Sequence, residues 1–311
     1  MSANAAVDEV DWIAADWGTT SVRVWAISAD GRIVGRASSQ DGMGRLARED
    51  YEPALFGLLE GMLAPARSAP VPVIVCGMAG ARQGWREAAY RQVPCGPVAA
   101  GEMTPVETRD SRVAVRIVPG LCQRDPADVM RGEETQLAGL VRLRGDGDAT
   151  VCMPGTHSKW VRLEGGSVIS FMTFMTGELF AVAASQSVLR MSVADDGSDE
   201  KSFLDAVAET LEHPERLTSA LFSIRSASLL GDLSPVQARS RLSGLLIGAE
   251  LAATRPHWQS DAVRLVGAEE IAKAYEAALN FAGATVMRED AEELTLAGLA
   301  LARSLMSEGA P

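Results

Sequence analysis

One short pattern opens two separate parts of the chain, and few folds accommodate it twice. DWIAADW, SVRVWAI and RIVGRAS, with the Ala29-Asp30-Gly31 turn between the last two, read as an antiparallel meander from Trp12 to Ser38. The pattern restarts at Thr150 to Pro154, Lys159 to Leu163 and Val168 to Phe174, with Gly165-Gly166 as a hairpin turn. Placing Gly18-Thr19 over Gly155-Thr156 aligns the two clusters and sets Ser21 on Ser158. Each half therefore opens with a strand, a Gly-Thr turn, a strand, a Gly turn and a strand, which points to an internal repeat within an α/β chain.

The segments between the meanders change period. Tyr51 to Leu63 predicts a helix, with Pro53 tolerated in its first turn. Val71 to Cys76 is too short for a helix and rich in β-branched residues, so it predicts a buried strand, and Val113 to Val118 another. Asp125 to Leu143 predicts a helix, because Val129, Leu137, Leu140 and Val141 follow helical spacing. Helices dominate from Glu178 to Arg255, followed by a strand at Ala262 to Val266, a helix to Phe281, a strand at Ala284 to Met287 and a final helix. The polar, glycine-rich run Arg144 to Asp148 marks a boundary between domains at 1–146 and 147–311, with the final helix placed to pack back toward the hinge.

Composition narrows the function classes. The 311 residues are 47% hydrophobic and 23% charged, which fits a globular chain with a real core. A net charge of −12 gives no counterion-release advantage on nucleic acid, so no nucleic-acid partner is expected. The uncharged stretch from Ser68 to Ala81 contains two prolines and falls short of the roughly 20 apolar residues a membrane span needs. The opening MSANAAVDEVDW carries acids where a signal peptide carries basic residues, so a cytoplasmic protein with no membrane partner is expected. Cys76, Cys95, Cys122 and Cys152 show no CxxC spacing and His157, His213 and His257 no HExxH, which argues for reduced structural thiols and against zinc.

Two turns carry phosphate chemistry. In Asp16-Trp17-Gly18-Thr19-Thr20-Ser21, Gly18 permits a tight turn with outward N–H groups, and the three hydroxyls can donate to phosphate oxygens. Asp16, at the strand end, suits a hydrated Mg²⁺, and Arg23 flanks the turn. A hairpin whose Thr and Ser satisfy local backbone groups reads the same way. Pro154-Gly155-Thr156-His157-Ser158-Lys159 is the counterpart, with Met153 where Asp16 stands; the two hairpins facing across a cleft would clamp phosphate.

Further candidates surround these turns. Gly132-Glu133-Glu134-Thr135-Gln136 offers a carboxylate to accept a proton from an attacking hydroxyl. Adjacent helical residues point about 100° apart, so only one glutamate can face a cleft and the other belongs on a solvated face. The loop Gly77-Met78-Ala79-Gly80-Ala81-Arg82-Gln83-Gly84-Trp85 lets backbone approach a ligand: Arg82 suits a carboxylate, Gln83 and Trp85 a polyol. Asp41-Gly-Met-Gly-Arg45 is a second loop of that kind. Gly267-Ala268, where a strand turns into a helix, can seat adenine or ribose, whereas Ser170 to Met175 reads as core or hinge packing.

In this order the segments resemble the sugar kinase, Hsp70-type chaperone and actin superfamily: first phosphate hairpin, connecting helix (Gly132 to Leu140), second phosphate hairpin, adenosine turn (Leu265 to Glu269) and second connecting helix (Leu296 to Ala302). DWGTTSVRVW, CGMAGARQGW, VMRGEETQLAGL, PGTHSKWV and GLLIGAEL look more closely like the 2-dehydro-3-deoxygalactonokinase family. The resemblance implies a two-domain actin-like ATPase fold, each domain a mixed sheet of ribonuclease H-like topology flanked by helices. It also implies ATP and Mg²⁺ as cofactors, a sugar acid as acceptor, compatibility with a homodimer, and phosphorylation of the terminal (C6) hydroxyl of 2-dehydro-3-deoxy-D-galactonate in galactonate breakdown. Many sugar kinases of the superfamily place an Asp at the start of the connecting helix; the Glu-Glu pair here is similar to the phosphatase branch and favours Glu133. A polyphosphate or nucleotide phosphohydrolase, or a non-catalytic ATP-gated actin-like or regulatory protein, are the alternative readings.

Overall fold

The computed structural model describes residues 9–64 and 68–308; residues 1–8 of the segment read above for targeting lie outside them. Two compact units emerge: residues 1–147, 164–169 and 292–311 form the first, and 148–163 with 170–291 the second.

The first unit is built on β1 (Val10–Trp17), β2 (Val22–Ser28), β3 (Ile33–Ser39), β4 (Val71–Gly77), β6 (Thr104–Val106) and β7 (Val113–Ile117), in sheet order β3-β2-β1-β4-β7-β6. β1, β2 and β3 pair antiparallel, whereas β4 runs parallel to β1 and β7 parallel to β4. Alternation along β1 sorts its side chains. Ile13, Ala15 and Trp17 share a core with Tyr51, Leu55 and Leu59 of α1 (Tyr51–Leu59), while Trp12 and Ala14 share another with Leu299 and Ala302 of the final helix. Because residues two apart share a face, Asp16 belongs to the face of Trp12 and Ala14. The predicted α1 continues to Leu63, but the helix stops at Leu59, ahead of an extended Glu60 and of Gly61 at φ +77°.

A three-stranded sheet, β5 (Tyr90–Gln92), β8 (Gly120–Arg124) and β9 (Ala127–Met130), ordered β5-β8-β9, is added to this unit. It corrects the helix predicted from Asp125. Asp125-Pro126 turns the chain between β8 and β9, and helix α2 (Glu133–Arg144) begins only after Gly132, whose φ of +108° no helix accommodates.

A second sheet repeats the plan with β10 (Ala149–Met153), β11 (Ser158–Glu164), β12 (Ser167–Phe174), β13 (Val263–Val266) and β14 (Val286–Glu289), in the order β12-β11-β10-β13-β14. β10 again pairs antiparallel with β11 and parallel with β13. Helices α3 (Thr176–Gln186), α4 (Glu200–Glu212), α5 (Leu217–Leu230), α6 (Pro235–Ala253) and the single turn α7 (Arg255–Trp258) are inserted before β13, and α8 (Glu269–Phe281) follows it. α4 and α6 approach closely because Gly244 and Gly248 carry no side chain; a Cβ at Gly244 would sit 2.3 Å from the Phe203 carbonyl oxygen.

The last helix, α9 (Ala291–Glu308), groups from residue 292 onward with the first unit. Glycine is the physical reason. A Cβ at Gly298 would lie 1.9 Å from the Thr135 carbonyl oxygen, and one at Gly139 the same distance from that of Leu294, so α9 and α2 cross backbone to backbone. No helix among the described residues is long and apolar enough to cross a membrane.

Candidate active site

In the first unit the predicted residues gather at the end of β1. Gly18 N–H donates to the Ser21 carbonyl at 2.8 Å, which closes the turn and leaves Thr19 and Thr20 exposed. The Asp41–Arg45 loop seals its flank: Gly44 N–H donates to the Thr19 carbonyl at 2.9 Å, and a Cβ at Gly42 would strike that oxygen at 2.4 Å. Arg45 itself is exposed. Asp16 lies opposite Arg23 on β2 and Cys76 on β4. Arg23 Nη2 donates to Asp16 Oδ2 at 2.6 Å, and the Cys76 thiol approaches Oδ1 at 3.7 Å. Burial, then the Asp16 charge, push the Cys76 thiol well up, so it stays protonated. Among the described residues no cluster of three His, Cys, Asp or Glu could hold a metal ion. One carboxylate does suit Mg²⁺, which keeps most of its waters and takes further oxygens from phosphate.

After β4, Gly77 takes φ +85° with its Cα against the Trp17 carbonyl, where a Cβ would lie 2.5 Å away. The loop beyond is tied down by Ala81 N–H to Met78 O (3.0 Å), Arg86 N–H to Ala79 O (3.2 Å) and Ala88 N–H to Gly80 O (3.0 Å). Two side chains of this loop differ sharply in burial. Trp85, expected against a polyol, is buried with Trp17 and Tyr51, its ring 6.0 Å from the Tyr51 ring, because the aromatic trio forms part of the core under β1. Arg82, expected to hold a carboxylate, has 81% of its side chain exposed, with Glu87 3.6 Å away. Gln83 is also exposed, Met78 half-buried and Ala79 buried.

The two glutamates separate sharply at the start of α2. Glu134 is fully buried, which corrects its predicted place on a solvated face; Glu133 is half-buried. Glu134 Oε2 accepts from Gly132 N–H at 2.6 Å and Oε1 from the Thr135 hydroxyl at 3.0 Å. Glu133 Oε2 accepts from Arg131 N–H at 3.0 Å. Burial, reinforced by the charge of Glu133, lifts Glu134 to about 8. Gly132 places this turn against β4, since its Cβ would lie 3.3 Å from the Gly77 Cα.

In the second unit, Gly155 and Thr156 join β10 to β11, and the start of α3 closes on them. Glu178 N–H donates to the Thr156 carbonyl at 2.9 Å, and a Cβ at Gly177 would lie 2.2 Å from Gly155 O. His157, exposed, meets Glu178 at 2.6 Å. Lys159 is buried at the start of β11. The Gly267-Ala268 turn lies beside the same hairpin, Gly267 packing on Pro154. Of the Ser170–Met175 run, Phe171 is core, but Met172 and Met175 are exposed, against the packing role expected for them.

A network the sequence did not reveal lies under this hairpin. Buried Glu250 of α6 accepts from Trp160 Nε1 at 2.8 Å, from the Tyr275 hydroxyl at 2.7 Å and from the Thr176 hydroxyl. Tyr275 in turn bonds Ser158 at 2.7 Å. Only the GLLIGAEL block, with an acid inside an apolar helix, hints at it.

The 3-2-1-4-5 strand order with three antiparallel and two parallel members is the ribonuclease H-like topology. Two copies in one chain, each opening with a Gly-Thr hairpin, define an actin-like ATPase of the sugar kinase class. The 2-keto-3-deoxy-galactonokinase family pattern matches residues 16–302. A Rhizobium meliloti protein named "Probable 2-dehydro-3-deoxygalactonokinase DgoK1" is 44% identical over 298 residues, covering 94% of this chain and 96% of its own. The Escherichia coli 2-dehydro-3-deoxygalactonokinase is 34% identical over 279 residues, or 88% and 91% of the two chains. The crystal structure of a candidate 2-dehydro-3-deoxygalactonokinase from Sinorhizobium meliloti superposes with a TM-score of 0.88 at 43% identity, covering 96% and 98%. The chain belongs to the 2-keto-3-deoxy-galactonokinase family.

Proposed function

We propose that the protein is a cytoplasmic, ATP-dependent kinase that phosphorylates the terminal (C6) hydroxyl of 2-dehydro-3-deoxy-D-galactonate in galactonate breakdown. The observation that carries this is the convergence, within one unit, of Asp16, the Gly18–Ser21 turn and the Glu133-Glu134 pair. These supply a metal-directed carboxylate, phosphate donors and a proton acceptor. Phosphoryl transfer asks little covalent chemistry of a protein beyond positioning and charge stabilisation.

Glu133 is the base in this reading. Its half-buried carboxylate takes the proton of the attacking hydroxyl, while Glu134, held near 8, keeps its own proton at neutral pH. Thr19, Thr20 and Ser21 donate to phosphate oxygens, and Arg23 holds the Asp16 carboxylate in place. Asp16 would hold Mg²⁺, which neutralises charge on the phosphates when bound. In the second unit Gly155, Thr156, His157 and Lys159 serve the phosphate end of ATP, and Gly267-Ala268 its adenosine. The backbone of the Gly77–Gly80 turn and Arg45 serve the acceptor.

Coupled ADP release over a panel of 2-keto-3-deoxy sugar acids tests the assignment. The expected result is turnover that requires the sugar acid. Phosphate release without any acceptor would instead identify a phosphohydrolase.

A further inference from the structure

The first unit contains a cation that its own fold leaves unsatisfied. Arg131 is 8% exposed, and among the described residues its Nε and Nη1 have no hydrogen-bond partner. Nη2 alone donates, to the Ala88 carbonyl at 2.7 Å, and the guanidinium carbon lies 4.3 Å from the centre of the Tyr90 ring. A buried guanidinium with idle donors is costly, and proteins rarely retain one without a use for it. Arg131 follows β9 of the added β5-β8-β9 sheet, for which the second unit shows no counterpart among the described residues. It directly precedes Gly132, which touches Gly77, and its Nη1 lies against Gly80, where a Cβ would approach to 2.7 Å. The added sheet thus delivers one cation to the glycine loop, on the residue before Gly132 and two before Glu133.

We propose that Arg131, rather than the exposed Arg82, is the residue that recognises the carboxylate of the acceptor. This rests on the sugar-acid reading above. A carboxylate accepts from the idle guanidinium donors in a charge-assisted pair, and the planar fork makes the site selective for an acid over a neutral polyol.

The test compares Arg131→Met, Arg131→Lys and Arg82→Ala with the wild type, using the 2-keto-3-deoxy sugar acid and its C1 carboxamide. For Arg131→Met, kcat/KM for the acid is expected to fall about 30-fold or more, as when a buried charge pair loses one partner, with the amide rate unchanged. Arg131→Lys retains charge without the fork and is expected to keep only part of the preference; it also serves if the methionine variant fails to fold. Arg82→Ala is expected to keep the preference. Thermal unfolding gives a second readout: without ligand the methionine variant is expected to be at least as stable as the wild type, and the acid no longer to stabilise it. Unchanged acid preference in both Arg131 variants, an equal fall for acid and amide, or loss of preference in Arg82→Ala alone would overturn the inference. A wild type that phosphorylates no sugar acid would overturn the functional reading instead.

Discussion

Glu134→Gln probes the charge state of the site through its stability. In the folded protein Glu134 titrates at about 8 against 4.5 for an unhindered carboxyl, with burial as the main cause. Below 4.5 both folded and unfolded chains hold the proton. Between 4.5 and 8 the unfolded chain releases it and the folded chain does not, so stability falls as pH rises through this window. Ionising a carboxyl raised that far costs about 5 kcal/mol when complete, at about 1.4 kcal/mol per pH unit. Glutamine occupies the same volume and never ionises. Its oxygen can accept from Gly132 N–H and its amide can donate to the Thr135 hydroxyl, which reverses its role, so both bonds survive. At pH 5 the variant is therefore expected within about 1 kcal/mol of the wild type. By pH 9 it is expected to be more stable by about 3 to 5 kcal/mol. Urea unfolding at pH 5, 7 and 9, followed by circular dichroism, measures the difference, and the contributions of all other groups cancel between the two proteins. A difference that does not change with pH would refute the reasoning. It would mean that Glu134 is ionised in place, and the base would then be either glutamate.

Three further outcomes follow from the geometry. Glu133→Gln is expected to lower kcat by about 10² to 10⁴ with little change in KM for the sugar acid, measured by coupled ADP release, while Glu134→Gln stays within about tenfold at pH 7. Asp16→Asn is expected to fold normally by circular dichroism yet lose about 10²-fold or more of its turnover, and near-normal turnover would remove Asp16 from the site. Glu250→Ala strands the Trp160, Thr176 and Tyr275 donors, so a loss of about 3 kcal/mol is expected in urea unfolding. Weaker ATP binding by calorimetry should accompany it, with sugar-acid binding unchanged.

What the sequence discloses and what it hides divide along a physical line. The meanders are legible because each strand is a short apolar run and each turn carries its own glycine, so Gly18, Gly31, Gly155 and Gly165-Gly166 mark corners with no knowledge of the rest. The helix predicted from Asp125 fails for the complementary reason: Val129, Leu137, Leu140 and Val141 satisfy helical spacing, but Asp125-Pro126 and Gly132 break it on either side of β9. Trp85 and Arg82 share one loop and suit ligand binding equally well as residue types. Only the approach of Trp17 and Tyr51 from other elements decides that the first is core, and the lack of any such approach leaves the second in solvent.

The placement of the two glutamates shows how far this non-local control reaches. Nothing local decides which of them turns inward, and Thr135, the next residue, is buried as well. Gly132 brings the start of α2 against the Gly77 Cα of β4, and Glu134 reaches back from there to the Gly132 N–H and across to the Thr135 hydroxyl. Burial at that contact, more than the charge of Glu133, raises its carboxyl to about 8. The helix itself is held by α9, which lies more than 150 residues away in sequence and belongs to the same unit. Gly298 lets α9 meet α2 at the Thr135 carbonyl, while Gly139 lets α2 meet the backbone of Leu294 one turn further on. A single methyl group at Gly298 would force the helices apart, at a cost of about 3 kcal/mol. Gly298→Ala is therefore expected to lose that much stability in urea unfolding, and an unchanged midpoint would show that the two backbones do not depend on this contact.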